Sequence, residues 1–523
     1  MTEDDVSIPV TDSPDGDATT ADGDAPDTVG GDDSDTVVGD DVSDTVIDRG
    51  RYDVLGVGLG PFNLGLAALL DGADADPDPD LEALFLEREP EFAWHEGMLI
   101  EGVTLEVPFL ADLVTMADPT NPYSFLNYVR ERDRIYEFYF YETFQIPRRE
   151  YDDYLRWVAE TVPTTRFGRE VTSVEYEAAD AGAGRDGADA ADGGTFVVEA
   201  VAPETGQRYR YRADDLVMGV GSRPALPEFA RDHAGGDAPL FHTADYLERR
   251  ADVLEADSIT VVGSGQSAAE VVLDLLERQS AREFRLDWLT RSDGFFPMEY
   301  SKLGLQHFTP EYTEYFYDLP QSRKDDLLPE QDLLYKGIDP ETSERIYDTL
   351  YERSIGDRDP DFGMLATTEV LDIERLEGSY WLECEQRQQD HRFALETDAV
   401  IFGTGYQRPT PTFLEPIADR IAFDDRGRFR VSEDYRLEGE LGGADDAGGR
   451  IFVQNAEMHT HGVGTPDLGL GCYRNAVIID RLAGREVYPI DRDTVFQDFD
   501  VEQFADHAPV RTDAPRSPSL DTE

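Results

Sequence analysis

Twice in this chain a short apolar run breaks into a glycine-rich turn and resumes as a helix of small residues, and nothing else limits the fold so tightly. The first is Val54-Leu55-Gly56-Val57 followed by Gly58-Leu59-Gly60-Pro61-Phe62-Asn63. The second is Ile259-Thr260-Val261-Val262 followed by Gly263-Ser264-Gly265-Gln266-Ser267-Ala268-Ala269-Glu270. Strand, glycine turn and helix in that order open a βαβ unit, whose backbone N–H groups and helix N-terminus face a dinucleotide pyrophosphate. Gly58 is expected to make the tight bend and Gly60 to let the backbone approach the phosphates. Asn63 stands where a third glycine or alanine is common. Glu87 closes the next apolar run, near the distance at which a carboxylate holds a ribose 2′-hydroxyl. After the second turn, the run Leu286–Leu289 ends in Thr290-Arg291, and an arginine there suits the 2′-phosphate of NADP; a plain surface arginine is the alternative. Two such turns in one chain imply that one nucleotide hands a hydride to another. The expected fold is α/β, with two Rossmann-like dinucleotide-binding domains and a small helical substrate region.

Charge narrows the partners. The net charge is −66, from 112 acids against 46 bases, and only Lys302, Lys324 and Lys336 are lysines. That balance resembles a protein adapted to a high-salt cytoplasm, where carboxylates hold water. Steering of cationic substrates is the sharper alternative, but at molar salt the Debye length is only about 3 Å. Nucleic acid is disfavoured, because binding phosphates needs a basic footprint. Cys384 and Cys472 make neither a disulfide framework nor a metal site. No stretch reads as a signal peptide or a membrane span, so a cytoplasmic protein is expected.

Along the chain, residues 1–48 hold sixteen acids and no base. Such a segment buries too little apolar surface to order itself and is expected to be a loose solvating tail. Residues 49–250 are expected to form the first part of one dinucleotide domain. Residues 251–395 are expected to form the second, with a Tyr-rich helical insertion at about 295–355. Residues 396–490 return to the first domain through Ala399–Phe402, and 491–523 form a tail. Val171–Tyr176 and Thr195–Ala200 are read as a hairpin around the acidic stretch Ala178–Gly194. Tyr151, Tyr154, Leu155 and Val158 have helical spacing. His459 and His461 suit a metal, but no third ligand has matching spacing.

These motifs together resemble the flavin-dependent N-hydroxylating monooxygenases of siderophore biosynthesis, which include lysine N6- and ornithine N5-hydroxylases and diamine-hydroxylating relatives. The likeness runs from about Arg51 to Pro489. It rests on Gly58–Asn63, Trp94-His95, Gly97-Met98, Phe109-Leu110-x-Asp112-Leu113, Asn121-Pro122, Gly263–Glu270, Gly403-Thr404-Gly405-Tyr406 and Met458-His459-Thr460-His461-Gly462. It implies FAD at the first turn and NADPH at the second. O2 then adds to the reduced flavin as a C4a-hydroperoxide, whose distal oxygen a primary amine attacks. FAD is carried to Gly58, Gly60, Pro61, Asn63 and Glu87, and to Trp94, His95, Glu106, Thr404, Gly405, Asp467 and Leu468. NADPH is carried to Gly263, Gly265, Gln266, Ser267, Glu270 and Arg291. No residue is singled out as catalytic. A homo-oligomer, dimer or tetramer, is carried over from the relatives.

Departures from the family pattern bear on the substrate. Ala111 stands where amino-acid hydroxylases carry a lysine for the substrate carboxylate. Leu305 falls at a family asparagine near the amino-acid head group, Gly469 at a family serine near the substrate's reacting end, and Glu106 at a glutamine near the flavin. The runs Phe109-Leu110-Ala111-Asp112-Leu113-Val114, Glu299-Tyr300-Ser301-Lys302-Leu303-Gly304 and Tyr335-Lys336-Gly337-Ile338 resemble the relatives that oxidise cadaverine, putrescine or 1,3-diaminopropane. A diamine has no carboxylate, so the loss of the lysine and the change of substrate agree. Its distal ammonium would instead need a carboxylate, with Asp467 and Glu106 as candidates. The alternative is a lysine or ornithine N-hydroxylase in which Lys302 or Lys336 holds the carboxylate. Of other rivals, a disulfide reductase needs a redox cysteine pair that neither cysteine supplies. A Baeyer–Villiger enzyme or a non-catalytic NADPH sensor would yield no hydroxylamine.

Overall fold

The computed structural model describes residues 45–72, 81–178, 194–236, 239–356, 358, 360–441, 449–490 and 495–501. The acidic N-terminal segment before Thr45, most of the stretch 178–194 and the C-terminal tail from 502 lie outside these residues. The first strand, Val46–Val57, begins inside the segment expected to be tail, so the ordered chain starts earlier than residue 49.

A seven-stranded sheet runs in the order Thr165–Arg166, Ala83–Leu86, Val46–Val57, Arg208–Met218, Thr195–Val201, Glu170–Glu177, and Ile451–Val453 pairs with Arg208–Met218. Val46–Val57 is parallel to both neighbours. Glu170–Glu177 and Thr195–Val201 form the expected antiparallel hairpin. A second sheet has five parallel strands in the order Phe362–Leu365, Arg285–Leu289, Ser258–Val262, Ala399–Phe402, Leu240–His242. Parallel strands covered on both faces read as unbroken apolar runs, and every residue of Ala83–Leu86 and of Ala399–Phe402 is buried.

Two strands differ from expectation. Leu240–His242 and Ala399–Phe402 both belong to the second sheet, so the chain crosses between sheets before 240 and after 402 rather than near 250 and 396. A short apolar run records that it is buried but not which sheet buries it. The 295–355 insertion is helical, with helices Pro310–Asp318, Gln321–Glu330 and Pro340–Ser354. Two of these start on side-chain caps, Thr309 accepting the Tyr312 amide and Asp339 the Thr342 amide, each with proline in the first turn. Helix Arg148–Thr161 buries Tyr151, Tyr154, Leu155 and Val158, as their spacing requires. The last helix, Gly469–Ala483, starts four residues before Tyr473, and Asp467 accepts the Leu470 amide just ahead of it. Among the described residues no helix is long and apolar enough to cross a membrane.

Candidate active site

The first glycine turn sits at the end of Val46–Val57, between its two parallel neighbours. Gly58 has φ +83°, and a methyl group on it would lie 2.6 Å from the Gly219 carbonyl oxygen, so the position needs glycine. Gly60 caps helix Pro61–Asp71, and a methyl group there would meet no protein atom within 4 Å. The space beside Gly60 is therefore open, which fits a pyrophosphate at the start of the helix, while the Gly58 amide donates to Leu86 O at 2.8 Å. Glu87 lies beside the turn: its Oε2 accepts the Leu59 amide at 2.8 Å and its Oε1 the Glu89 amide at 3.1 Å.

Asn63 departs from the expected nucleotide contact. Its fully buried amide donates to Gly58 O at 2.7 Å and to Val217 O at 3.3 Å, and accepts from Gln454 Nε2 at 2.7 Å. It holds the turn from behind, because the Gly219 backbone presses against it too closely for any side chain to intervene.

In the second turn Gly263 has φ +133°, and a methyl group on it would lie 2.2 Å from Gly403 O. Over Gly265 the nearest atom to such a group is Lys336 O at 3.9 Å, so this turn too is open in front. The Ser264 and Ser292 hydroxyls are 3.3 Å apart, and the Arg291 side chain is 75% exposed. The Arg291 guanidinium lies 3.9 Å from Glu369 Oε1. Ser267 is half-buried in the first turn of the following helix.

Gln266 and Glu270 turn the other way. Gln266 Oε1 accepts the Asp339 amide at 2.8 Å, and its Nε2 donates to Glu270 at 3.0 Å and to Thr342 at 3.2 Å. The buried Glu270 carboxylate takes both arms of the Arg148 guanidinium, at 2.7 and 2.8 Å. These side chains join the second turn's helix to the insertion and to helix Arg148–Thr161 instead of reaching a nucleotide. Helical spacing sets them on one face, but what that face meets lies 122 residues away.

Further candidate residues gather near these elements. His95 has a left-handed backbone (φ 53°), and its ring stands edge-on to Trp94 and to Tyr406, with centroids 4.8 and 6.2 Å apart. Solvent reaches it, but protein walls most of its surroundings. Loss of hydration, with Arg148 nearby, lowers its pKa to about 4 and keeps the imidazole neutral. Trp94 donates its backbone N–H to Asp152 at 2.9 Å and packs its ring on Tyr151. Thr404 Oγ1 donates to Ala225 O at 2.7 Å, and Gly405 O accepts the Ala225 amide at 2.9 Å. Leu468 packs against the first core.

Glu106 bonds to the Tyr300 hydroxyl, and burial, reinforced by Glu270, pushes its carboxyl up to about 8. The folded-state pKa lies above the ordinary carboxylate value. Glu106 therefore contributes stability that is complete below about pH 4.5 and is lost as pH rises through about 8. Substituting Glu106→Gln should leave the Tm of the substrate-free protein nearly unchanged at pH 5 and raise it relative to the parent at pH 8.5. Parallel melting curves at both ends of that range would sink this reading of Glu106.

Three expected substrate-site positions come together. A methyl group on Gly469 would lie 3.0 Å from Asp467 Oδ1 and 3.6 Å from Ala111 Cβ. Asp467 Oδ1 accepts the Leu470 amide at 3.0 Å, and burial raises its carboxyl to about 6. The lysines do not join them in this way. Lys336 pairs with Asp332 at 2.7 Å, Lys302 is exposed, and Lys324 lies over the Tyr317 ring. Leu305 is partly exposed at the insertion. The sequence reading missed Arg148, Tyr300 and Tyr406 among these residues; an Arg-Arg pair opening a helix in so acidic a chain was the available signal for the first.

His459 Nε2 meets Phe429 O at 2.7 Å, and His461 lies between Thr460 and Glu433 O, so both rings serve the protein. Among the described residues there is no group of three metal-ligating side chains. Both cysteines are buried and free.

Comparison with known proteins agrees with this arrangement. The profile of the L-lysine 6-monooxygenase/L-ornithine 5-monooxygenase family matches residues 50–408. A rhizobactin siderophore biosynthesis protein of Rhizobium meliloti is 43% identical over 455 residues, covering 86% of this chain and 95% of its own. A putrescine N-hydroxylase of Shewanella oneidensis is 40% identical, covering 87% of this chain and 85% of its own. Among solved structures, a desferrioxamine-pathway cadaverine monooxygenase of Erwinia amylovora, bound to FAD, is 37% identical with a TM-score of 0.78. That match covers 86% of this chain and 98% of the other.

Proposed function

The chain belongs to the L-lysine 6-monooxygenase/L-ornithine 5-monooxygenase family, and from that premise we propose that it N-hydroxylates one amine of a small aliphatic diamine for hydroxamate siderophore synthesis. FAD and NADPH are its cofactors. Bound together, they supply the hydride and, with O2, the oxygen atom transferred to nitrogen. In this reading FAD lies along the open face of Gly58–Pro61 with Glu87 at its ribose, and NADPH lies along Gly263–Gly265 with Arg291 at its 2′-phosphate. The open space over Gly60 and Gly265 supports both placements.

The protein's own task is to present a nucleophilic amine. A free alkylamine has a pKa near about 10.4, and only its neutral form attacks. A cleft that withdraws the reacting nitrogen from water lowers that pKa, and the same loss of water discourages side reactions. The neutral His95 adds no positive charge of its own there.

The observation that carries the diamine reading is that Ala111 lies against Gly469, beside the Asp467 carboxylate. An amino-acid carboxylate would need a positive charge where Ala111 offers a methyl group, and Lys336 is already paired with Asp332. Cadaverine, putrescine or 1,3-diaminopropane carries no such carboxylate. We read the acidic surface as salt adaptation, so activity is best assayed in molar KCl. Hydroxylamine formation from diamines and from lysine and ornithine, compared side by side, tests the reading.

A further inference from the structure

We propose that a second copy of this chain docks on the aromatic face of the short helix Ile135–Tyr141, with a two-fold axis passing through the contact. The inference is independent of the diamine reading and gives the expected homo-oligomer a surface. The helix reads Ile135-Tyr136-Glu137-Phe138-Tyr139-Phe140-Tyr141, and none of these residues is buried. Ile135 and Phe138 are half-buried and hold it to the first core, Phe138 through edge-on contacts with Phe109 and Phe125 at 5.2 and 5.4 Å. The other aromatics face outwards. Tyr136, Tyr139 and Phe140 are 76%, 68% and 72% exposed, Tyr141 is 49% and the neighbouring Phe144 is 59%. Tyr136, Tyr139 and Phe140 stand at i, i+3 and i+4, which is one face of a helix.

Area and shape both fit a copy of the same surface. At about 200 Å² per aromatic side chain, these five leave roughly 600 Å² in water. A stable dimer covers about 800 Å² on each partner, so the patch supplies most of one half. Beside the helix lies a hollow of about 420 Å³ whose apolar lining is Leu126, Ile135, Phe138, Tyr139 and Phe144. A two-fold contact repeats itself, so a ring of one copy that enters the hollow of the other is matched by the reverse insertion. Tyr136 and Phe140 lie outside the lining of the hollow and are the rings available for it. Charge then selects the occupant. The chain carries −66, so two copies repel wherever acids dominate their contact. From Tyr123 to Glu150 there are five arginines and five acids, which makes this face neutral. A neutral apolar face matches itself, whereas a basic partner would find no acidic excess here to bind. At molar salt the Debye length of about 3 Å removes most of the repulsion between the remaining surfaces. The contact also lies behind the loop that carries Ala111, since Phe144 O accepts the Phe109 amide at 2.8 Å.

Sedimentation equilibrium of the flavin-loaded full chain in molar KCl tests the proposal. The parent should sediment as a dimer, or as a larger assembly built from it. Tyr136→Glu combined with Phe140→Glu sets four carboxylates across the two-fold. It should weaken this contact by about 100-fold or more and halve the mass at micromolar concentration. Both side chains are exposed, so the subunit should keep its far-UV circular dichroism. A parent that is monomeric throughout would overturn the proposal and leave the face to a different protein. A folded double variant of unchanged mass would overturn it as well. Labelling gives a second measure. Both native cysteines are buried, so Tyr141→Cys adds a single reactive thiol at the rim of the face while Tyr136, Tyr139 and Phe140 stay in place. Its reaction with a maleimide should slow by about tenfold as the protein concentration rises through the range of assembly. A rate that stays constant while the mass increases would place the contact elsewhere and overturn the proposal.

Discussion

Gly58→Ala should purify without bound flavin, with FAD affinity lower by roughly 100-fold or more, about 3 kcal/mol. The cost has two sources. A backbone at φ +83° is the left-handed region, which costs a side chain about 1–2 kcal/mol. The added methyl would also lie 2.6 Å from Gly219 O and 3.0 Å from Val220 Cα, so the turn itself must shift. A shift there disturbs the backbone donors and the Leu59–Glu87 bond together. Gly60→Ala is the matched control. Its φ of −73° suits any residue and its methyl meets no protein atom, so the flavin-free protein should keep its Tm while FAD binding weakens. Absorbance at the flavin band after dialysis reads both variants. Full retention of flavin by Gly60→Ala would mean that nothing lies against that face, and the placement of the pyrophosphate would be wrong.

Glu270→Gln should destabilise the protein by about 3 kcal/mol, lowering Tm by roughly 3 °C, because it leaves a buried guanidinium without its counter-charge. The side chains of Glu270 and Arg148 are only 1% and 13% exposed, and both arms of the arginine are used. Salt screens surface pairs but not buried ones, so the deficit should persist in molar KCl. The exposed pair Arg392–Glu383 provides the comparison, with side chains 62% and 50% exposed. Glu383→Gln should change Tm by less than the scatter between preparations. Equal losses for the two substitutions would show that the Arg148–Glu270 link does not hold the second turn's helix to Arg148–Thr161.

The parts of this protein written in local sequence were legible before the structure. Each turn needs glycine at its first position, Gly58 and Gly263, where φ is positive and a neighbouring backbone is too close, and that demand is visible as a motif. The Arg148–Thr161 helix, the hairpin and the helical insertion follow from spacing and periodicity in the same way. Direction was not legible. Asn63, Gln266 and Glu270 sit where nucleotide contacts were expected, yet each turns its polar atoms into the protein, because partners far along the chain (Val217, Gln454, Asp339 and Arg148) claim them. Sheet membership was hidden for a similar reason. Leu240–His242 and Ala399–Phe402 are buried runs of three and four residues, and only their long-range pairing reveals the sheet they join. The convergence of Ala111, Asp467 and Gly469 is intermediate: the residues were picked out as departures from a family pattern, but their contact was not.

The most direct measurement of the central claim is hydroxylamine produced per NADPH consumed, in molar KCl with FAD and O2, across 1,3-diaminopropane, putrescine, cadaverine, L-lysine and L-ornithine. The expected result is coupled turnover of at least one diamine with a kcat/KM roughly tenfold or more above either amino acid, about 1.4 kcal/mol of transition-state preference. A higher kcat/KM for L-lysine or L-ornithine would contradict it, and would return Lys302 and Lys336 to consideration as carboxylate partners.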